Sequence, residues 1–517
     1  MTRDPAAGSA HGPAAGPASR PSPLAVATLL AALAVPAAIG ALPLAHDDLF
    51  GHLSAGRWIV DHGRVPAADP FSFTRPGARW VSHEWGFSLA VYGVWGAGGP
   101  WALVGLSAAL ATALFAAIGG AALRRVPADR RAAAAPLVAA LLLAAAWAVS
   151  LELFLRAALA GAVCFALLAI GLGRFRERPS AARGAAVAVL VLVWANLHSG
   201  VVLGLALVGL SAVDAASRQR RRVLPHLLLA AACAAAALAN PHGIDALLYP
   251  FRLARLLADP ASGFEAGHFA GGWPGRQAVL GALLAATLAG LFALARRGRR
   301  PSPGSPPARH GPLAGWELAA LALFGAGSFA TARLSVEFAV LLVPAAAAVG
   351  AALLGERAAP ARRRGGRALA AAVLTAALVV ASGTLAARPP GPVSPHFPAG
   401  AADFLRAHGL LGRAFHHQNW GGYLGWRLGT PVFWDGRNDV FAPLVRELAT
   451  IPFARVAERY GVEVLILSPR EIAQLAPELA RGRWGLVYAD GRAAVFLSRR
   501  AYPEVLERLE IRPPPPV

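Results

Sequence analysis

The feature that most restricts this chain is the recurrence of apolar blocks roughly 16 to 25 residues long, separated by short arginine-bearing stretches. A block of that length, wound as a helix rising about 1.5 Å per residue, crosses a hydrocarbon core about 30 Å thick. A helix apolar on every side has no face to give to water, so a run of such blocks points to lipid as the solvent. Hydrophobic residues make up 56% of the 517 and charged residues 15%, against about 25% charged in ordinary globular chains. The blocks lie near 23–44, 99–123, 132–150, 155–172, 185–198, 200–215, 225–240, 276–295, 315–331, 335–355 and 368–388. The sequence therefore predicts an α-helical polytopic membrane protein with about eleven transmembrane helices. Many blocks are alanine-rich, as in Ala230 to Ala239, and the weak hydrophobicity of alanine makes their edges soft.

The net charge of +21 comes with no lysine, so all 49 basic residues are arginine. They gather in the N-terminal tail and in every second loop: Arg124 to Arg131, Arg174 to Arg183, Arg218 to Arg222, Arg296 to Arg309 and Arg357 to Arg367. That alternation follows the positive-inside rule and puts the N-terminus in the cytoplasm of a bacterial-type inner (plasma) membrane. Eleven spans then put the C-terminus on the extracytoplasmic side. A nucleic-acid partner would need the basic residues on one soluble face, and this distribution excludes one. Cys164 and Cys233 fall inside spans and read as small apolar residues. The first 22 residues, rich in Pro, Ala and Gly, read as a disordered cytoplasmic tail. Residues 23–44 form a block too long for a signal-peptide core and read as a span.

The loops expected outside are unequal. The first, 45–98, is long and rich in Asp, His, Trp and Pro; 241–275 is the next longest, with Glu265 and His268 in it. Such asymmetry suits a site built at one membrane face, and no inverted repeat of the transporter kind is visible. From 389 onward charges return. Val464 to Leu467 reads as a buried strand, after a helical stretch from Phe453 to Tyr460. Leu486 to Ala489 and Ala493 to Ser498 flank Asp490-Gly491, a hairpin signal. Residues 389–517 therefore read as a small extracytoplasmic α/β domain behind a membrane domain at 23–388.

The first outer loop carries the densest chemistry: His46-Asp47-Asp48, His52, Arg57, His62, Asp69-Pro70 and His83-Glu84-Trp85. Paired carboxylates at a membrane surface can act as a general base or hold a divalent cation such as Mg2+ or Mn2+, with Asp48 as ligand. Asp48 and His52, four residues apart, share a helix face. The same residues could instead form a solvated cap on the first span, and Glu84 could cap an interfacial helix beside Trp85 and Trp95. Polar residues near span ends are the next candidates: Asn196 and His198 at one turn, Arg156 four residues after Glu152, and Arg333 four before Glu337. An outer-face arginine suits a phosphate, and each could equally serve an interhelical ion pair. Asn240-Pro241-His242-Gly243 reads as a helix end and turn. In the C-terminal domain His416-His417-Gln418-Asn419-Trp420-Gly421-Gly422-Tyr423 and Trp434-Asp435-Gly436-Arg437 combine glycines with aromatics, which suits a sugar ligand or a tight turn around core rings. There is no Walker A, GxGxxG, zinc-spaced Cys/His set or serine elbow.

The run Asp48-x3-His52-x3-Gly56-x5-His62-Gly63-x2-Pro66-x2-Asp69-Pro70 resembles the first external loop of GT-C membrane glycosyltransferases. It is most similar to the catalytic subunit of oligosaccharyltransferase and to bacterial relatives, and Trp420-Gly421-Gly422-Tyr423 resembles the motif opening their external domain. The resemblance implies a GT-C-like fold, a sugar donor on a polyprenyl phosphate and inverting transfer to an envelope glycan, lipid or protein. It implies a catalytic acid in the first loop, which falls on Asp48 or Asp47; Glu84 joins these two as a catalytic candidate on its own place in the same loop. Arg156 and Arg333 are the donor-phosphate candidates. His52, Arg57, Asn196, His198, Trp420, Tyr423, Asp435 and Arg437 are the substrate-binding candidates. Oligosaccharyltransferase has two Trp and an Asp where this chain has Asn419-Trp420-Gly421-Gly422-Tyr423, so sequon glycosylation is not implied. The rival class is a non-catalytic membrane protein, either a transporter or a glycan-binding envelope scaffold.

Overall fold

The computed structural model describes residues 22–218, 223–258, 274–298, 313–354 and 359–511. The N-terminal tail, Glu265, His268 and several of the arginine clusters lie wholly or partly outside these residues. The chain is a polytopic α-helical membrane protein with a small mixed sheet near its C-terminus. Each expected block coincides with a helix: α1 Pro23–Gly40, α3 Trp85–Arg124, α4 Arg131–Ala148, α5 Ala157–Glu177, α6 Ala181–Leu197, α7 Val201–Arg218, α8 Val223–Leu238, α10 Pro274–Gly298, α11 Gly315–Ala330, α12 Ser335–Leu354 and α13 Ala359–Ala386. Among the described residues, eight helical segments are long and apolar enough to cross a membrane, while α6, α8 and α11 are apolar but shorter. Two further helices, α2 Asp47–His62 and α9 Ile244–Ala258, follow α1 and α8.

Helix α3 departs from the expected span. It starts at Trp85, and its backbone breaks at Gly98 and Gly99, with Gly99 at φ 60°. Only glycine takes that conformation without strain, and Pro100 then restarts the helix. The expected edge at 99 is thus the break between the two helical pieces of α3. Small residues let the helices pack closely, as lipid-embedded interfaces require. A Cβ at Gly40 would stand 2.8 Å from the Ala108 Cα on α3, and one at Gly204 would strike the fully buried Trp194. The largest core cluster joins Phe115, Leu142, Phe165, Trp194, Phe324 and Phe338.

The C-terminal region contributes α14 Ala399–Ala407, α15 Gly421–Leu428, α16 Asn438–Thr450, α17 Phe453–Tyr460, α18 Pro469–Leu479 and α19 Pro503–Leu509. Strands β1 Ala414–His416, β2 Val464–Leu467, β3 Trp484–Ala489 and β4 Ala494–Ser498 form a sheet of order β1-β2-β4-β3. The β1–β2 pair is parallel and the other two are antiparallel. The β3–β4 hairpin turns at Asp490-Gly491, where the Asp490 carboxylate accepts the Arg492 and Ala493 N–H groups. All four residues of β2 are buried, as a run without polar alternation requires.

This domain is seamed to the first loop. Leu44 and Val393 form a parallel bridge, as do Ser72 and Val432. Phe50 of α2 packs edge-on against both Phe397 and Tyr423, at 5.1 Å between centroids in each case. One hydrophobic cluster therefore runs from α2 and α3 into the α/β domain.

Candidate active site

Helix α2 starts at an acidic pair, which suits the positive end of its dipole, and stops at Gly63 in the left-handed region. Successive residues on a helix point about 100° apart, so Asp47 and Asp48 look in different directions. Asp47 is 8% exposed. Its two oxygens accept the N–H groups of Gly422 (3.0 Å) and Tyr423 (2.9 Å), in the first turn of α15. Burial pushes this carboxyl up to about 8, against the opposing pull of the Tyr423 and Gly422 N–H groups. The approach is close enough that a Cβ at Gly422 would stand 2.6 Å from the Asp47 carbonyl oxygen. Asp47 therefore fastens α2 to the α/β domain. Asp48, with its side chain 46% exposed, lies 3.3 Å from His46 Nδ1 and faces a cavity of about 450 Å³. Gly436 presses on it from the domain side, and a Cβ there would strike the Asp48 carboxylate.

The cavity lies where α2, the start of α3, the α6–α7 and α11–α12 turns, α9 and the α/β domain meet. It brings together Asp47, Asp48, His52, Arg57, Glu84, His198, Arg333, Asp435 and Arg437 of the sequence candidates. Glu84 sits among three imidazoles: His52 Nε2 at 3.4 Å, His83 Nε2 at 3.5 Å and His198 Nε2 at 3.6 Å. His198 Nδ1 accepts the Gly200 N–H at 3.1 Å, which leaves its proton on Nε2, toward Glu84. The Nδ1–H of His83 donates to the Val81 carbonyl at 3.1 Å. Burial would raise the Glu84 carboxyl, but His83, His52 and His198 outweigh it and hold the group well below the usual carboxylate range. Burial would lower His83, yet Glu84 raises it overall, while burial pushes His198 down to about 4 despite Glu84. A carboxylate so stabilised as its anion is a weak proton acceptor; it orders the imidazoles around it.

Arg333, in the one-turn helix between α11 and α12, lines the cavity. Arg156 lies behind the wall, ion-paired with Glu152 and electrostatically coupled to Asp48 and His46. Asp435 and Arg437 form wall more than opening. Arg437 donates to Asp435 Oδ2 at 2.8 Å and to Asp69 Oδ1 at 2.7 Å, with its guanidinium 4.8 Å from the Trp80 ring centroid and 5.4 Å from that of Phe71. Besides Arg156, three candidates do not line the cavity. Asn196 accepts the Trp85 indole N–H and donates to the Leu192 and Ala239 carbonyls. Trp420 donates its indole N–H to the His396 carbonyl at 3.2 Å, and Tyr423 stacks on Phe397 at 4.7 Å. Both rings are domain core.

Tyr249 is a wall residue that the sequence did not single out. Its ring lies 3.9 Å from that of His83, and its hydroxyl donates to Asp439 at 3.1 Å. It comes from the amphipathic α9, whose sequence shows only a helical pattern. As to a cation, Asp48 is the one half-exposed carboxylate here. Among the described residues no three carboxylate, imidazole or thiolate groups converge to hold a metal ion.

No protein-family model matches the chain, and no curated protein matches it in sequence. Solved structures do match. The crystal structure of the Archaeoglobus fulgidus oligosaccharyltransferase, tethered through a disulfide to an acceptor peptide with the NVT sequon, aligns with TM-score 0.54 and 11% identity, over 92% of this chain and 74% of that one. Apo ArnT from Cupriavidus metallidurans aligns with TM-score 0.50 and 16% identity, over 92% and 97%. At such identities the likeness establishes the fold, and that fold is of the GT-C type.

Proposed function

We propose that the protein is a membrane glycosyltransferase that moves a sugar from a polyprenyl-phosphate donor to an envelope acceptor at the extracytoplasmic face. One observation carries the reading: Asp48, a half-exposed carboxylate, and Arg333, a guanidinium, line the same cavity where the helix ends meet the α/β domain. A lipid-borne donor can deliver its sugar only at such a boundary. The acceptor hydroxyl attacks the anomeric carbon while Asp48 takes its proton, and the bond from that carbon to the phosphate oxygen breaks. The electron pair leaves with the lipid phosphate, and Arg333, backed by the charge of Arg156, stabilises it. Attack opposite the leaving group inverts the anomeric carbon. The Glu84 cluster fixes His198 and His52 on the cavity wall.

The test is a strain lacking the gene, complemented with wild type or Asp48→Asn at matched membrane levels, with envelope glycans and glycolipids compared by mass spectrometry. Wild type should restore a sugar that Asp48→Asn does not. Equal restoration by both would remove Asp48 from the chemistry and favour a carrier or scaffold.

A further inference from the structure

The cavity continues past the reacting groups. It follows α2 from Asp48, in the first turn, to Arg57, nine residues on. At the usual helical rise that is about 14 Å along the axis and about two and a half turns, so Arg57 leaves the opposite side of the helix. Between the two, the passage has low walls. Gly51 has nothing within 4 Å of where a Cβ would stand, and Ser54 and Ala55 are its neighbours on α2, with Gly425 and Gly429 across from them. Among the described residues the Arg57 guanidinium meets no carboxylate and makes no hydrogen bond. Its one contact of note is the Trp426 ring, 4.9 Å from its carbon to the ring centroid. Trp426 is itself wedged edge-on against Trp95 (5.4 Å) and Tyr92 (6.2 Å). The guanidinium thus lies over a ring fixed by its neighbours, with its N–H fork unused among the described residues. An arginine so placed matches the planar, bidentate geometry of a phosphate or carboxylate.

We infer that Arg57 is an anion-binding subsite at the acceptor end of the cavity, and that the acceptor carries a phosphate or carboxylate well removed from the hydroxyl that receives the sugar. This rests on the glycosyltransferase reading for the word acceptor, although the anion site itself does not. A lipid headgroup of the bilayer offers the same chemistry, so the test separates the two. Full-length protein in a neutral maltoside detergent is titrated with glucose 6-phosphate, and with glucose as the uncharged control. Wild type should prefer the ester. Arg57→Gln should cut that preference about tenfold, the effect of losing a charge-assisted pair. Arg57→Lys keeps the charge without the fork and should fall between them, and it carries the test if the glutamine variant does not fold. Absence of a preference in wild type, or an equal preference in the variants, overturns the inference. The same proteins in phosphatidylcholine and phosphatidylglycerol nanodiscs give the second arm. If Arg57→Gln loses thermal stability only with phosphatidylglycerol while its ester preference stays intact, the guanidinium grips the bilayer and the acceptor assignment is wrong. Because the readout is equilibrium binding, a protein that binds as described but restores no sugar would sink the transferase reading alone.

Discussion

Asp47→Ala tests the division of labour between the two adjacent aspartates. In the native protein the Asp47 carboxylate accepts two backbone N–H groups, from Gly422 and Tyr423, and is 8% exposed. Alanine leaves both donors buried with no acceptor, and each such loss costs about 1–3 kcal/mol, so the variant should lose about 2–6 kcal/mol. The loss falls on the seam between α2 and α15. The Phe50, Phe397 and Tyr423 cluster and the Arg437 clamp still hold the domain, so the variant should fold and melt earlier. The assay is thermal unfolding of purified protein in detergent for wild type, Asp47→Ala and Asp48→Asn. Asp48, half-exposed beside His46, has no such structural bond, and its variant should melt with wild type. A pH series sharpens the test. The folded carboxyl is pushed up to about 8, above the usual value of about 3.9, so the folded state keeps a proton that the unfolded chain has lost. This group's contribution to stability is therefore full at low pH and declines as pH rises through about 8, and Asp47→Ala should lack that slope. A wild-type melting midpoint for Asp47→Ala, or comparable losses in both variants, would refute the reasoning.

Three further outcomes follow from the same geometry. Gly436→Ala puts a Cβ into the Asp48 carboxylate, so it should abolish complementation in the glycan assay while the protein still inserts and melts close to wild type. Arg437→Met leaves Asp69 and Asp435 buried without their shared cation, a loss of about 3–5 kcal/mol that limited proteolysis of the α/β domain should report. His416 donates its Nδ1–H to the His417 carbonyl and accepts the Phe433 N–H on Nε2, and burial pushes it down to about 4. The folded state then resists a proton that the unfolded chain takes up near pH 6.5. Stability should fall as pH drops from about 6.5 towards 4, and His416→Gln should flatten that decline in a pH-dependent melting series.

What could be read from the sequence was what depends on local pattern. Apolar length gave the helices, including the short pair α6 and α7 with a turn at His198, Ser199 and Gly200. A continuous apolar run gave β2, and the hairpin signal at Asp490-Gly491 gave β3 and β4. Acidic and basic residues of the outer loops and span ends gave most of the ionisable groups on the cavity wall, because charge at a membrane boundary is expensive unless something uses it. Features set by distant partners were not legible. The break at Gly98 and Gly99 lies inside one continuous apolar pattern. Trp420 and Tyr423 have the composition of a sugar platform, but Phe50 and Phe397 enclose Tyr423, and the indole of Trp420 is tied to the His396 carbonyl. Arg437 looks like a free binding group until Asp69, far away in the chain, arrives on its other side.

The adjacent aspartates show why a motif can be correct in place yet ambiguous in role. A helix gives neighbouring residues different surroundings, and here one neighbour meets a protein domain while the other meets open space. The domain decides which is which. Its glycine at 422 lets α15 come near enough to α2 for two backbone N–H groups to reach Asp47, and a Cβ there would stand 2.6 Å from the Asp47 carbonyl oxygen. Once Asp47 is spent on that contact, the domain's next loop brings Gly436 against Asp48 and leaves that carboxylate aimed into the cavity. The membrane helices alone therefore do not make the site. The α/β domain acts as its fourth wall, and any change that lifts α15 from α2 should disarm Asp48 without touching it.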